Sequence, residues 1–365
     1  MPANWPRMVM MLTAGIVGLP NVGKSTLFNA LTAGHAQVDS YPFTTIDSNL
    51  GVVSVPDSRL LELQRVVQPQ ECVPSHIEFI DIAGLVEGAS RGEGLGNKFL
   101  GNIRQVDAIV HVLRAFDDAN VAHVFAQPDA PRDAEVVETE LLLADLELLQ
   151  RAIEKRRKEW QTDPRKFASE KEHFELYLET LEAGTPLRSL GLDRFQRQEL
   201  KALGLLTGKP LLYVANVSEE GYGTGEPPDL ALSGVVVPVS AKIEWELGQL
   251  EPDERTLFME ELGIVESGLE RLVEATFELL GLIRFYTLAN DKLRAWEVER
   301  GTKLPQAAGK IHTDMEKGFV RAQVGDWEQV VELGSFQELH HQGLLRTEGR
   351  EQEVRDGDVI EFLFH

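Results

Sequence analysis

The chain has 365 residues, 43% of them hydrophobic, and a formal net charge of −23. That length suits two or three domains with real cores, and the negative field repels phosphate, which argues against DNA and against indiscriminate binding of nucleic acid while leaving room for local basic surface to meet RNA. A single cysteine, Cys72, excludes an intramolecular disulfide and a multi-cysteine metal cluster, and no apolar run approaches the ~20 residues of a membrane span, so a soluble protein of a reducing cytosol is expected.

Met10 and Met11 stand just before the first strand-like run, so residues 1–10 are expected to be a disordered extension or an upstream start, without the basic-then-apolar pattern of a secretion signal. Leu12 to Val17 reads as a short buried strand and Thr26 to Leu31 as a helix. Between them lies Gly18-Leu19-Pro20-Asn21-Val22-Gly23-Lys24-Ser25, the full spacing of a phosphate-binding loop. Its glycines let backbone N–H groups turn inward around phosphates, Lys24 can reach the β and γ oxygens, and the Ser25 hydroxyl can ligate Mg²⁺. The expected nucleotide contacts here are Asn21, Val22, Gly23, Lys24, Ser25 and Thr26.

Tyr41-Pro42-Phe43-Thr44-Thr45 offers a further hydroxyl to Mg²⁺, with Thr45 favoured. The strand-like run Ile77 to Ile80 ends in Asp81-Ile82-Ala83-Gly84, where Asp81 can hold Mg²⁺ through water and the Gly84 amide can face the γ-phosphate. The glycine-rich stretch from Leu85 to Gly96 is expected to be a switch loop that orders on the γ-phosphate. Many GTPases place a water-orienting glutamine directly after this glycine, but here the position is Leu85, so water must be positioned by something else. His111, His123 and a bound cation are the candidates.

Ala108 to Leu113, Leu211 to Val214 and Val235 to Val237 also read as strands, and with helical stretches between them they indicate a parallel sheet wrapped by helices. Between the first two lies a different pattern. Leu142, Leu146, Leu149, Ile153 and Trp160, then Phe167, Phe174, Leu178 and Leu181, follow the seam spacing of packed helices, and Thr162-Asp163-Pro164 can turn the chain. An inserted antiparallel helical hairpin is therefore expected. Its tip carries Lys155, Arg156, Arg157, Lys158, Arg165 and Lys166, read either as a solvated helix end or as a binding patch.

Guanine readers of this architecture end a strand with Asn-Lys-x-Asp, whereas this chain has Asn216-Val217-Ser218-Glu219. Val217 cannot give the lysine's cationic cover, and the longer Glu219 moves the carboxylate. Ser240-Ala241 follows the next strand, where backbone groups commonly approach the base, and adenine is the expected base. From about Arg284 a new pattern begins, with strand-like Phe319 to Ala322 and Asp358 to Leu363, the second after an Asp356-Gly357 turn, and a small α+β domain is expected.

The strings Gly18 to Thr26, Asp81 to Phe99, Asn216 to Glu219 and Pro305 to Arg321 together resemble the YchF or Obg-like ATPase family, in the Obg branch of P-loop proteins. The resemblance implies an α/β P-loop NTPase fold. Its parts would be an OBG-type nucleotide-binding domain at 11–130 and 205–282, a coiled-coil hairpin at 131–204 and a C-terminal β-grasp (TGS) domain at 283–365. It also implies a Mg²⁺-dependent, cytoplasmic ATPase that prefers ATP over GTP and binds the ribosome, through rRNA and ribosomal proteins, as a translation-associated or stress-regulatory factor. Leu85 agrees with the hydrophobic residue these proteins carry in place of the catalytic glutamine. The histidine implied as catalytic is His123, beside Lys24 and Gly84, and Asn21 matches an asparagine that can help bind K⁺. Ser48 and Thr44 depart from the commoner proline and cysteine of the family's switch loop. Two other readings remain open: an ATP-gated ribosome-binding adaptor with incidental hydrolysis, and an Obg-type GTPase with relaxed base choice.

Overall fold

The computed structural model describes residues 12–33, 49–82, 84, 95–118, 120–125, 127–222 and 228–365. The expectations for residues 1–10, Thr44, Thr45, Ser48, Leu85 and most of the glycine-rich stretch therefore lie outside the described residues. Two compact units result: Thr13–Gly51 with Phe79–Thr276, and Val52–Glu78 with Phe277–His365. In chain order the strands are β1 (Thr13–Val17), β2 (Leu50–Ser54), β3 (Glu71–Val73), β4 (His76–Asp81), β5 (Ala108–Ala115), β6 (Leu211–Val217) and β7 (Val236–Val239). They continue with β8 (Leu282–Ala289), β9 (Lys292–Glu299), β10 (Phe319–Asp326), β11 (Arg346–Glu348) and β12 (Asp358–Phe364).

One sheet has the order β2-β4-β1-β5-β6-β7, and its neighbours β1 and β5, β5 and β6, and β6 and β7 run parallel. β5 and β6 are buried along almost their whole length, so they read as continuous apolar runs rather than alternating ones. The helices that follow these strands are α1 (Lys24–Ala33) after β1, then α2 (Ser58–Val67), α3 (Leu95–Gln105) and α4 (Ala130–Thr162). α3 already begins at Leu95, so the end of the stretch read from sequence as a loop up to Gly96 is helical.

The predicted hairpin forms from α4 and α5 (Ala168–Glu182). The Asp129 side chain caps α4 by accepting from the Arg132 amide, with Pro131 in the first turn where its missing N–H costs nothing. Leu142, Leu149 and Trp160 pack against Phe174, Tyr177 and Leu181, with Trp160 edge-on to Phe174 at 5.5 Å. At the root, the fully buried Asp145 accepts from the amides of Leu206 and Thr207 and from the Thr207 hydroxyl, at 2.7–2.9 Å. At the tip, Arg156 lies 3.1 Å from Glu159 and 3.5 Å from Glu170, and Arg157 lies 3.6 Å from Glu154, so part of the basic cluster is already paired.

The second unit is a six-stranded mixed sheet of order β11-β10-β12-β8-β9-β3. Strand alternation sends Phe285 to one apolar core, with Leu304, Ala307 and Phe362, and its neighbour Tyr286 to another, with Leu60, Leu63, Val330 and Leu339. The expected α+β character holds. Sequence reading missed the β8–β9 hairpin, whose two-residue turn Asn290-Asp291 has φ of 52° and 61°, the left-handed pair that a tight hairpin turn demands. It also assigned 52–78 to the nucleotide-binding domain, while in the structure this segment clusters with 277–365. α2 buries Leu60 and Leu63 there, β3 adds to β9 in parallel, and the buried Asp57 carboxylate accepts from the Tyr286 hydroxyl at 2.8 Å.

Candidate functional site

β1, β5, β6 and β7 are parallel, so the segments leaving their C-terminal ends gather at one edge of the sheet, the usual place for a ligand in this architecture. The loop from Gly18 to Gly23 leaves β1 there. Two of its positions require glycine. Gly18 has φ 150° and a Cβ would stand 2.4 Å from the Val112 carbonyl oxygen, while at Gly23, φ 100°, a Cβ would stand 2.2 Å from Asn216 Nδ2. Asn21 takes the left-handed φ of 63° that asparagine tolerates, and its Nδ2 donates to the Ala122 carbonyl at 3.1 Å.

Lys24 opens α1 and is only 7% exposed. Its ammonium donates to the Leu19 carbonyl of its own loop at 2.7 Å. Burial lowers its pKa, and the charge of Asp81 pulls the other way. An ammonium stripped of water beside backbone donors is poised for an anion. Ser25 and Thr26 follow on the exposed side of the helix start, and the Ser25 hydroxyl donates to Asp81 Oδ2 at 3.1 Å. Asp81 Oδ1 is buried and, among the described residues, has no hydrogen-bond partner. Gly84 lies against the same group, for a Cβ on it would stand 3.0 Å from Lys24 Nζ and 3.3 Å from the Pro20 nitrogen. Lys24, Ser25, Asp81 and Gly84 thus form one cluster, as their motifs require; Thr45 falls outside the described residues.

On the other flank of the loop, Asn216 is buried at the end of β6 and spends its amide on the protein. Nδ2 donates to the Val22 carbonyl at 2.9 Å, and Oδ1 accepts from the Ala241 amide at 3.1 Å. It joins the phosphate loop to the start of α8 (Ala241–Leu247), counting α6 (Arg194–Leu203) and α7 (Glu219–Tyr222) before it. Val217, Ser240 and Ala241 are buried beside it, whereas Glu219 is exposed at the start of α7. The structure therefore places Asn216 as a clamp between two loops, a role its position in a base-reading motif does not announce.

The two histidines that sequence offered for positioning water stand differently. His111 is fully buried in β5, 5.6 Å from the Tyr213 ring, and burial, with Arg188 and Lys24 adding to it, pushes its pKa down to about 3. Enclosed in the strand and neutral, it is a core side chain. His123 lies in the segment after β5, directly beside the Ala122 carbonyl that Asn21 holds. Its side chain is 3% exposed and faces Asp133 in the first turn of α4.

A family model described as "50S ribosome-binding GTPase" matches residues 13–162, and the YchF-GTPase C-terminal model, described as a protein of unknown function, matches residues 282–365. The chain is 46% identical over 371 residues to the "Ribosome-binding ATPase YchF" of Bacillus subtilis (strain 168), covering 98% of this chain and 100% of that one. It is 45% identical over 357 residues to the protein of the same name from Escherichia coli O157:H7, covering 96% and 98%. Among solved structures it is similar to the Schizosaccharomyces pombe YchF GTPase, at 33% identity and a TM-score of 0.86, covering 99% of this chain and 100% of that one.

Proposed function

The chain belongs to the YchF family, and from that premise we propose that it is a Mg²⁺-dependent ATPase that binds the ribosome and works as a nucleotide-dependent translation-associated or stress-regulatory factor. The observation that carries this reading is the cluster of Lys24, Ser25, Asp81 and Gly84, with a buried carboxylate oxygen of Asp81 that no described residue partners, beside the Ser25 hydroxyl. An orphaned anionic oxygen next to a hydroxyl is a hard-donor pair that fits Mg²⁺. Ser25 and Asp81 would hold the ion, with Thr45 joining when a triphosphate is bound. Mg²⁺ held there would supply charge that neutralises the phosphate oxygens during transfer.

The protein's own groups do the rest in this proposal. Backbone N–H groups from Asn21 to Thr26 enclose the phosphates, Lys24 exchanges the Leu19 carbonyl for phosphate oxygens, and the Gly84 amide meets the γ-phosphate. His123 positions the attacking water in place of the missing glutamine. Val217, Glu219, Ser240 and Ala241 flank the base, with Asn216 fixing the loops that carry them. Asn21 is the residue we assign to a K⁺ ion beside the phosphates. The domain assignment that goes with this function is 11–130 and 205–282 for the nucleotide, less the segment 52–78 that clusters with 277–365, then 131–204 for the helical hairpin and 283–365 for a TGS module. The hairpin tip is one local basic patch for rRNA, and Lys303, Lys310, Lys317 and Arg321 of the other unit are a second, in which Lys303 and Lys310 already stand beside Glu351 and Glu297. A cytoplasmic location goes with the ribosome-binding name of the bacterial relatives; among the described residues no helix is long and apolar enough to cross a membrane.

The bacterial relatives are named ATPases and the fission-yeast protein a GTPase, so a GTPase with relaxed base choice is the second reading. Competition of ATP against GTP for the purified protein separates the two. Val217 and Glu219 remove a charge-assisted contact to guanine and the cover over it, so ATP should bind tighter by roughly tenfold or more. The pair Val217→Lys with Glu219→Asp should narrow that gap. Equal affinities in the unmodified protein would overturn the adenine assignment.

A further inference from the structure

The segment between β5 and α4 is held by side chains on several sides. Arg114 donates Nε to the Phe116 carbonyl at 3.1 Å, Nη1 to Val121 at 2.9 Å and Nη2 to Asp118 at 2.9 Å, and its guanidinium stacks 4.6 Å over the Phe116 ring. Asn21 of the phosphate loop holds the Ala122 carbonyl. The next residue, His123, turns Nδ1 to the backbone of Phe125, 3.1 Å from its amide nitrogen and 3.2 Å from its carbonyl oxygen. Nε2 stands 2.8 Å from Asp133 Oδ2, a close contact without hydrogen-bond alignment. Asp133 is fully buried. Arg132 secures its other oxygen at 3.1 Å while lying 4.4 Å over the Phe125 ring.

We propose that Asp133 is a positioning residue that stores the His123 imidazole away from the attacking water, and that turnover requires its release. The proposal rests on the reading of His123 as the water-positioning group. In a working carboxylate–histidine pair one ring nitrogen faces the carboxylate and the other faces the reacting group. Here the other nitrogen faces the Phe125 backbone, and the side chain is 3% exposed. A group that handles water must come within about 2.6–3.2 Å of it, which this enclosure prevents. Release needs only a local rearrangement, because the backbone one residue earlier already touches the phosphate loop through Asn21. Nucleotide bound at that loop would therefore act on the same short segment that carries the ring.

The test is ATP hydrolysis by the full chain without ribosomes, for the unmodified protein, Asp133→Asn, His123→Ala and the double variant. Asp133→Asn keeps an oxygen for Arg132 and removes the charge facing the ring. It should raise kcat by roughly tenfold, with KM for ATP changed by less than about twofold, as expected when a contact present only in the resting state is weakened. The gain should vanish in the double variant. If His123→Ala is inactive while Asp133→Asn turns over no faster than the unmodified protein, the storage proposal fails and the histidine reading stands. If His123→Ala keeps full turnover, both fall. Histidine acylation by diethylpyrocarbonate, read by mass spectrometry on the unmodified protein, serves should Asp133→Asn not fold. His123 should be protected relative to the exposed His340 and His341, and labelling at an equal rate would overturn the proposal.

Discussion

Lys24→Ala is expected to lower ATP turnover by roughly 10²–10³-fold, the loss typical of removing one preorganised electrostatic partner of a reacting group, and to leave thermal stability unchanged or raised. The two halves of that expectation come from one observation. The ammonium is buried with the Leu19 carbonyl at 2.7 Å as its hydrogen-bond partner, and burial lowers its pKa. A desolvated charge whose hydrogen bond goes to a neutral carbonyl contributes little to folding even with the Asp81 carboxylate nearby, so its removal relieves a cost while taking away the cation that the phosphates would meet. Phosphate release and a melting curve on the same preparation check both halves. Turnover within about threefold of the unmodified protein would remove Lys24 from the catalytic set, and a large fall in melting temperature would mean that the ammonium is structural.

Asp145→Ala should have the opposite profile, a loss of about 3–5 kcal/mol in stability with the chemistry of the nucleotide cluster untouched. Asp145 sits in α4 and receives the Leu206 and Thr207 amides and the Thr207 hydroxyl, while the Thr207 carbonyl accepts the Arg188 amide at 2.9 Å. One side chain therefore joins the long helix of the hairpin to the turn before β6, and β6 ends at Asn216, the clamp on the phosphate loop. Truncation leaves these donors buried and unpaired, each at about 1–3 kcal/mol. Asp145→Asn, which retains one carbonyl oxygen, should lose less. Urea unfolding of the three proteins decides it, and a change below about 1 kcal/mol for alanine would show that water or a local shift satisfies the donors.

What could be read before the structure was known follows from the reach of each constraint. The phosphate loop was legible because its chemistry imposes residue types at fixed spacing over eight neighbouring positions, Gly18 to Ser25, and Asp81 because it ends a strand at the matching place. The hairpin was legible from a repeat that both helices must keep in order to pack. The β8–β9 hairpin was not legible although Asn290-Asp291 is a sound turn signal, because the pattern change at Arg284 falls inside the first strand. Other features have no local signature. α2 finds its core across more than two hundred residues of sequence, in Tyr286, Val330 and Leu339, and nothing in Ser58 to Val67 says so. Asn216 reads as a base contact from its motif, and only the coordinates of Val22 and Ala241 reveal the clamp. Asp133 looks like an ordinary acidic residue in a first helical turn, favourable there for the helix dipole; its significance depends on the ring of His123 being folded back onto it.

The central claim is that this nucleotide site is an ATPase whose turnover answers to the ribosome. The most direct test is phosphate release from Mg²⁺-ATP by the full chain, measured with and without purified ribosomes at one salt concentration. The account predicts slow hydrolysis alone and a rise of roughly tenfold or more with ribosomes, in keeping with coupling free energies of about 1–3 kcal/mol between linked sites. Identical rates with and without ribosomes would contradict it.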